Sequence, residues 1–178
     1  QRQMCIRDRN TIVVMSMAGI AQGTQPLISY YYGKNESEKY KKLLKYGMVA
    51  AAAGSVAAVL ICYVGAESIV GLFLKESEAS LSVYSVRVLR IFILSFLLAG
   101  LNVVLGGYFT SVEKAGFATM ISLTRSLIAL VISLVFLTAV FGGEAIWWAP
   151  LIAESCCLVL SAGLYQWYLS LIHLSEPT

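Results

Sequence analysis

Arg125 and Glu154 are charged side chains that lie inside long apolar stretches. An ionised group at membrane depth is costly, so each is by default a candidate for a functional role with a partner. We expect Glu154 either to handle a cation or a proton, or to make a structural hydrogen bond within a helix bundle. Arg125 is interpreted as a structural charge.

Arg125 and Glu154 flank the glycine pair Gly142–Gly143, at about seventeen and eleven residues from the turn. At 1.5 Å of rise per residue, their depths differ by about 9 Å. A direct ion pair would therefore strain the arginine side chain. A protonated Glu154 that is bonded within the bundle is an equal alternative.

The sequence contains no pattern that indicates enzyme chemistry. It has no paired nucleophile and base, no phosphate-binding loop and no ATP-binding motif. Cys62, Cys156 and Cys157 lie in apolar stretches, and we expect small buried hydrophobes rather than metal ligands or disulfides. We predict no enzyme activity, no metal site and no bound cofactor.

The elements that hold these side chains are predicted to be membrane helices. Hydrophobic residues make up 58% of the 178 residues, against about half in soluble domains. The net charge is only +3 and the lysines are clustered, so they bear on topology and not on nucleic-acid binding. Membrane lipid is the expected partner, and nucleic acid is not.

Five apolar blocks predict an all-α, polytopic bundle of transmembrane helices. The stretch Gly23–Gly47 sets the topology, because three tyrosines and then five lysines follow the first block. Tyrosine prefers the headgroup level, and lysine-rich loops stay inside the cell. The loop after the second block and the turn before the fifth are then outside. The predicted spans are 11–32, 46–64, 83–109, 115–141 and 147–168.

Uncharged polar side chains lie in the first and third predicted spans. Gln22, Gln25 and Ser29 surround Pro26, and we expect them to face protein or water rather than lipid. They either bond to neighbouring helices or line a substrate cavity. Asn102 lies deep in the third span and is expected to face a partner helix or the same cavity.

Other residues bear on helix packing and on the predicted outer end. Small residues at Gly47, Ala51 and Ser55 predict close helix packing, as does a second stripe at positions 50, 54 and 58. Arg87 and Arg90 are expected to snorkel to the outer interface or to pair with glutamates just upstream, with a gating role as the alternative. A short interfacial helix is predicted around residues 69–74.

We hypothesise that both ends of the chain do not come from the native protein sequence. Residues 4–9 (MCIRDR) and 169–173 (LSLIH) can be encoded by one short DNA word read on opposite strands, and that word resembles a sequencing adapter. We therefore expect residues 1–9 and 169–178 to be artefacts that do not belong to the native fold. The remaining residues, 10–168, are expected to be a fragment that starts within a longer protein.

Four sequence motifs together resemble the multidrug and toxic compound extrusion (MATE) transporters. They are, in chain order, GIAQGTQPLISYYYGK, VRVLRIF, GGYFTSVEKAGFATMISLTRS and FGGEAIWWAPLIAES. Each is weak alone, but together they cover nearly all of residues 11–168. The resemblance implies that residues 10–168 are a partial C-terminal lobe, holding helices eight to twelve of a twelve-helix transporter.

The resemblance also implies a function. Transporters of this family consist of two six-helix lobes that expose a central cavity alternately to each side of the membrane. They export cationic or amphiphilic compounds in exchange for protons or sodium ions. The N-terminal lobe of the same chain would then be an essential partner, and the location would be the plasma membrane, in a bacterium the inner membrane.

One departure from the family limits what the resemblance implies. Some sodium-coupled members carry an acidic residue in the helix that corresponds to Val83–Phe109, whereas this sequence offers only Asn102 and Ser95 there. The coupling ion therefore stays open. Two alternatives to drug export are a lipid-linked oligosaccharide flippase of the same superfamily and a membrane scaffold without transport activity.

Overall fold

The computed structural model describes residues 19, 21–71 and 79–175, which form helices joined by short turns. No strand occurs in these residues, so the predicted all-α class is confirmed. The elements, in chain order, are α1 (21–33), α2 (Ser37–Val64), α3 (Ala66–Gly71), α4 (Ala79–Ser111), α5 (Ala115–Leu123), a π-helical turn (Thr124–Ile128), α6 (Ala129–Phe141), a 3-10 helix (Gly143–Trp148) and α7 (Ala149–Ser175).

Four helical segments of the described residues are long and apolar enough to cross a membrane. They are Ser37–Val64, Leu81–Ser111, Ala115–Phe141 and Gly143–Leu171. The shortest has 27 residues, about 40 Å at 1.5 Å per residue, which exceeds the hydrocarbon thickness of about 30 Å. The predicted polytopic bundle is thereby confirmed. The predicted first span, 11–32, is helical from residue 21, and most of its earlier part lies outside the described residues.

The second span begins nine residues earlier than predicted, at Ser37 instead of Tyr46. The sequence SEKYKKLLK contains neither glycine nor proline, and Glu38 in the first turn suits the positive end of the helix dipole. Four of the lysines that are predicted to lie inside the cell are therefore on the first turns of α2 and not in a loop. Long lysine side chains can extend from such turns to the headgroup level.

The other boundaries shift by smaller amounts. The third span runs from Ala79 to Ser111 instead of 83–109, and the fourth matches 115–141. A 3-10 helix precedes α7, which continues to Ser175. The interfacial helix predicted at 69–74 lies at Ala66–Gly71, and residues 72–74 lie outside the described part. Residues 1–9 also lie outside it, whereas residues 169–175 continue α7. Neither observation tests the foreign origin of the two ends, which stays a hypothesis.

Helix α4 is the centre of the bundle. It contacts α2, α3, α5, α7 and the 3-10 helix. The buried face of α2 consists of Tyr40, Leu44, Gly47, Ala51 and Ser55. A methyl group on Gly47 would lie 3.3 Å from Thr24 Cγ2 and 3.4 Å from Val104 Cγ1. The first predicted small-residue stripe is therefore the place where α1, α2 and α4 approach closely.

An aromatic cluster closes the end of the bundle near the lysines. Tyr108, which is fully buried, lies at its centre. Its ring centroid is 5.5 Å from those of Phe109 and Tyr165, and 6.4 and 6.5 Å from those of Tyr40 and Tyr168. The Tyr40–Tyr108 pair is tilted and the other three pairs are edge-on, and edge-on ring pairs stabilise beyond the area that they bury. The cluster therefore joins α2, α4 and α7 at this end.

Two local features shape the hairpin of α5, α6 and α7. The amide of Ala129 bonds to the carbonyl of Thr124, five residues back, which widens one turn of the helix into a π turn. At the other end, Gly142 has φ +83° and ψ −177°, a conformation that is essentially restricted to glycine. The chain reverses there and enters the 3-10 helix.

Candidate functional site

Three polar side chains from different elements meet between the membrane helices. Arg125 Nε, in the π turn, donates to Glu154 Oε1 on α7 at 2.8 Å. Asn102 Nδ2, on α4, donates to Glu154 Oε2 at 2.7 Å and to the Glu154 carbonyl oxygen at 3.0 Å. Both carboxylate oxygens are thus engaged at once. We call these three residues the polar cluster.

The polar cluster is largely shielded. Asn102 is 1% exposed, and the side chains of Arg125 and Glu154 are 29% and 14% exposed. The second polar atom of Asn102, Oδ1, is buried without a hydrogen-bond partner among the described residues. A buried acceptor that lacks a donor is unusual in a native structure. It leaves one unused acceptor beside the carboxylate.

The ion pair corrects the expectation that Arg125 and Glu154 are too far apart in depth for an unstrained contact. The residues 143–148 form a 3-10 helix, which rises about 2.0 Å per residue and carries Glu154 about 3 Å further from the turn. The π turn accommodates an extra residue beside Arg125. Counted from Gly142, the depths then differ by about 3 Å, which an arginine side chain spans.

A cavity of about 370 Å³ adjoins the polar cluster. Arg125 and Glu154 form part of its wall, together with Ser95 and Ser126. The rest is mainly apolar, with Phe92 among the lining residues. Ser95 Oγ donates to the Phe92 carbonyl at 2.7 Å, so its hydroxyl proton is already used. The wall of the cavity is therefore mainly apolar, and the ion pair of Arg125 and Glu154 is part of it.

The candidate residues of α1 lie apart from the polar cluster and contact another part of α4. A methyl group on Gly107 would lie 2.8 Å from Gln25 Nε2, so the Gln25 side chain packs directly on that glycine. Ser29 Oγ donates to the Ser111 carbonyl at 3.1 Å. Gln22 is exposed. The structure thus brings Asn102, Arg125 and Glu154 together, but not Gln22, Gln25 or Ser29.

The three cysteines of the described residues differ in their exposure. Cys157 is buried, with Sγ 3.8 Å from the Ile121 carbonyl, whereas Cys62 is half-buried and Cys156 exposed. The burial predicted for all three is therefore right for Cys157 and wrong for Cys156, which faces outward on α7. Within the described residues, no group of three or more His, Cys, Asp or Glu side chains is placed to hold a metal.

A protein-family model matches most of the length of the chain. Residues 9–135 match the family model MatE. The chain belongs to the MatE family. The matched range includes Asn102 and Arg125, whereas Glu154 lies beyond its end. Two of the three cluster residues thus fall inside the MatE match.

Curated relatives are similar at a lower level. The multidrug export protein MepA of Staphylococcus haemolyticus is 26% identical over 143 residues, covering 80% of this chain and 31% of the relative. MepA of Staphylococcus aureus is 24% identical over 139 residues, covering 78% and 30%. The chain thus spans under a third of the length of these relatives. No solved structure matches at comparable significance.

The MatE match and the helices together determine the cellular location. The relatives are proteins of bacteria, and four described segments can cross a membrane. The protein is therefore a multi-pass protein of the cell membrane, in contact with lipid. The outward faces of its helices agree, because they expose large apolar residues, for example Val64, Val135 and Val159.

Proposed function

We propose that the chain is part of a secondary active antiporter that exports drugs or other organic cations in exchange for protons or sodium ions. The observation that carries the proposal is the MatE match over residues 9–135. The names of the relatives, multidrug export proteins, support the substrate class. The chain spans 31% of the first relative, which agrees with our proposal that residues 10–168 are the partial C-terminal lobe of a longer transporter.

The polar cluster is the proposed place of ion or proton handling in this lobe. Glu154 can hold a proton or a cation, and in its ionised form it is compensated by Arg125. Asn102 Oδ1 supports this role, because it is an unused acceptor beside the carboxylate. A protonated Glu154 is a donor, and rotation of the Asn102 amide would present Oδ1 to it. The amide can therefore serve both protonation states of Glu154.

Protonation of Glu154 would have a structural consequence through Arg125. When Glu154 accepts a proton, the attraction to the guanidinium at 2.8 Å is lost. An unpaired arginine at membrane depth then moves towards water, the cavity or another acceptor. Since Arg125 is part of the π turn, protonation of Glu154 would act directly on the junction of α5 and α6. This is how a proton in the polar cluster would change the bundle.

Substrate contacts are proposed for the α1 side of the lobe. Gln22 is exposed and remains a candidate for the substrate cavity. Gln25 and Ser29 are candidates too, although each has a packing partner on α4. Asn102 is assigned to the polar cluster first, because its amide group bonds to Glu154. Small cationic or amphiphilic molecules are the proposed substrates.

The test uses the full-length protein in a bacterial host that lacks its own drug exporters. Lower accumulation of a fluorescent cation, dependent on an imposed proton or sodium gradient in proteoliposomes, would support antiport. Accumulation that stays unchanged under every gradient would refute it.

In the same assay, Glu154→Gln is expected to abolish or shift the pH dependence of export. Glu144→Gln, which changes an exposed glutamate, is the matched control. Unchanged export by Glu154→Gln at every pH would remove Glu154 from the mechanism.

A further inference from the structure

Charged side chains are balanced differently at the two ends of the bundle. At the end where α4 begins, Arg90 Nη2 lies 3.0 Å from Glu67 Oε1, which is the pairing with an upstream glutamate that the sequence offered as one alternative. The opposite end, where α2 begins and α4 ends, carries six lysines and three glutamates among the described residues. They are Lys34, Lys39, Lys41, Lys42, Lys45 and Lys114, with Glu36, Glu38 and Glu113. Their formal charges leave this end at +3.

Three of these lysines share one face of α2. At 100° per residue, Lys42 and Lys45 lie about 100° and 40° around the helix axis from Lys41. We call these three residues the lysine triad. The buried side chains of α2 point to the other side of the helix, at about 40–120° from Lys41 in the opposite sense. Glu38 lies on the face of the triad one turn earlier, so this face keeps a surplus of positive charge.

The charge of the lysine triad is not neutralised by the described part of the chain. Among the described residues, Lys39 is the only lysine that makes an ion pair, with Glu36. Two side chains of the triad are exposed and the third, Lys41, is half-buried. Of the acidic residues outside the described part, only Glu176 follows a helix that ends at this side. One further carboxylate would leave the balance of this end positive.

Further along α2, the face of the lysine triad is apolar. Val49, Val56 and Leu60 are exposed, and they lie at about 80°, 60° and 100° from Lys41, within the arc of the triad. We call these three residues the apolar column. From Val49 to Leu60 the helix rises about 16 Å, which is about half of the 30 Å hydrocarbon thickness. The apolar column therefore has the length of one leaflet.

An anionic phospholipid complements this face of α2 better than a free anion does. Lysine ammonium groups bind phosphate oxygens by charge-assisted hydrogen bonds, and an acyl chain packs against exposed apolar side chains. Tyr46 directly follows the triad and is exposed, and tyrosine prefers the headgroup level of a bilayer. We therefore expect the triad at the headgroup level and the apolar column in the hydrocarbon region. A free phosphate ion would contact the triad alone.

We propose that the lysine triad and the apolar column bind one anionic glycerophospholipid. Its phosphate lies on the triad, and one acyl chain lies along the apolar column. On the topology predicted from the lysines, this lipid belongs to the inner leaflet. The site consists of residues of α2 and stands independently of the proposed transport reaction.

The test measures lipid binding to the full-length protein by native mass spectrometry in detergent. The wild-type protein is titrated with phosphatidylglycerol, phosphatidylcholine and inorganic phosphate. We expect phosphatidylglycerol to bind more tightly than phosphatidylcholine, and millimolar phosphate not to displace it. Equal affinity for the two lipids would overturn the proposal. Displacement by millimolar phosphate would overturn the lipid assignment in favour of a free-anion site.

Variants then locate the site. One lysine near an anionic surface contributes about fivefold to binding. The triple variant Lys41→Gln, Lys42→Gln and Lys45→Gln should therefore weaken phosphatidylglycerol binding by at least about tenfold. Phosphatidylcholine binding should stay within about twofold, since the apolar column is intact. The triple variant with arginine at the same positions, Lys41→Arg, Lys42→Arg and Lys45→Arg, keeps the charge and should retain most of the affinity.

The matched control removes three other positive charges from the same end of the bundle. It combines Lys34→Gln, Lys39→Gln and Lys114→Gln, all at exposed positions outside the triad. Selective loss of phosphatidylglycerol binding in the triad variant, with a change within about twofold in the control, supports the proposal. Equal weakening in both variants overturns it, because that result shows a general charge effect and no site. Unchanged binding in the triad variant also overturns it, and would indicate that another part of the longer protein covers this face.

Discussion

Substitution of Glu154 by glutamine would leave one of two donors without an acceptor. In the native cluster, Oε1 accepts from Arg125 Nε at 2.8 Å and Oε2 from Asn102 Nδ2 at 2.7 Å. Glutamine retains a single acceptor oxygen, and its NH₂ group would face the other donor. Arg125 would also lose its counter-charge at membrane depth. We therefore expect Glu154→Gln to destabilise the protein.

The magnitude follows from the distance and the burial. Unit charges 2.8 Å apart attract by about 6 kcal/mol at an effective dielectric constant of about 20. Loss of hydration offsets part of this attraction, and residual exposure of 29% and 14% weakens it further. Breaking a buried pair costs about 3–5 kcal/mol, so we expect a loss of about 3 kcal/mol for Glu154→Gln. Arg125→Gln should cost a similar amount, about 3 kcal/mol, because it leaves the Glu154 carboxylate, which is only 14% exposed, without its counter-charge.

A double-mutant cycle isolates the interaction. If the pair exists, Glu154→Gln combined with Arg125→Gln should cost less than the sum of the single changes, with a coupling of about 2 kcal/mol. The free energy of unfolding of the full-length protein would be measured in mixed micelles with increasing SDS. Glu144→Gln is the matched control and should change stability by less than about 0.5 kcal/mol. A coupling below about 0.5 kcal/mol would refute the ion pair.

Three further changes can be measured by the same unfolding assay. Asn102→Asp places a second carboxylate beside Glu154 and should destabilise the protein more at pH 8 than at pH 5, where one proton can be shared between the two; equal loss at both would contradict this contact. Gly107→Ala should cost less than about 1 kcal/mol, because its methyl group would lie 2.8 Å from Gln25 Nε2, the end of a flexible side chain that can move aside; a loss above about 2 kcal/mol would show that the Gln25 side chain is held in place. Arg90→Gln should cost less than about 1 kcal/mol, since Glu67 is 74% exposed, and a loss above about 2 kcal/mol would disprove a weak surface pair.

Hydrophobic length and small-residue spacing are sufficient to predict the membrane helices. The block 115–141 has the predicted bounds, and the stripe Gly47, Ala51 and Ser55 packs as expected. Helix ends are harder to predict, because membrane helices continue into polar turns. The lysines before Tyr46, which we predict to lie at the headgroup level, do not mark the start of α2, because α2 begins at Ser37.

The polar cluster is only partly predictable. Arg125 and Glu154 can be identified as candidates because they are charged residues in the middle of predicted spans. The assumption of a regular α-helical rise, however, overestimates the difference in their depths. The 3-10 helix before α7 and the π turn at Arg125 both change that rise. Neither departure has an evident motif in the sequence, because each arises from packing against neighbouring helices. The contact of Asn102 with Glu154 likewise depends on how α4 and α7 are rotated against each other.

The π turn also divides the helix between Ala115 and Phe141 into two halves. The side chains of one half are rotated about the helix axis from the directions that they would have in an unbroken α-helix. Ile121 and Ala129 are both buried, yet they are eight residues apart, which in an unbroken α-helix would place them about 80° apart. The extra residue in the turn makes the separation equivalent to seven steps, within about 20° of the same side. Ala129, Ser133 and Leu137 then continue that side. Removal of one residue from 124–128 would join the halves into a regular helix without rotating either, whereas a deletion elsewhere in 115–141 would turn one half by about 100° and exchange its lipid-facing side chains for its buried ones.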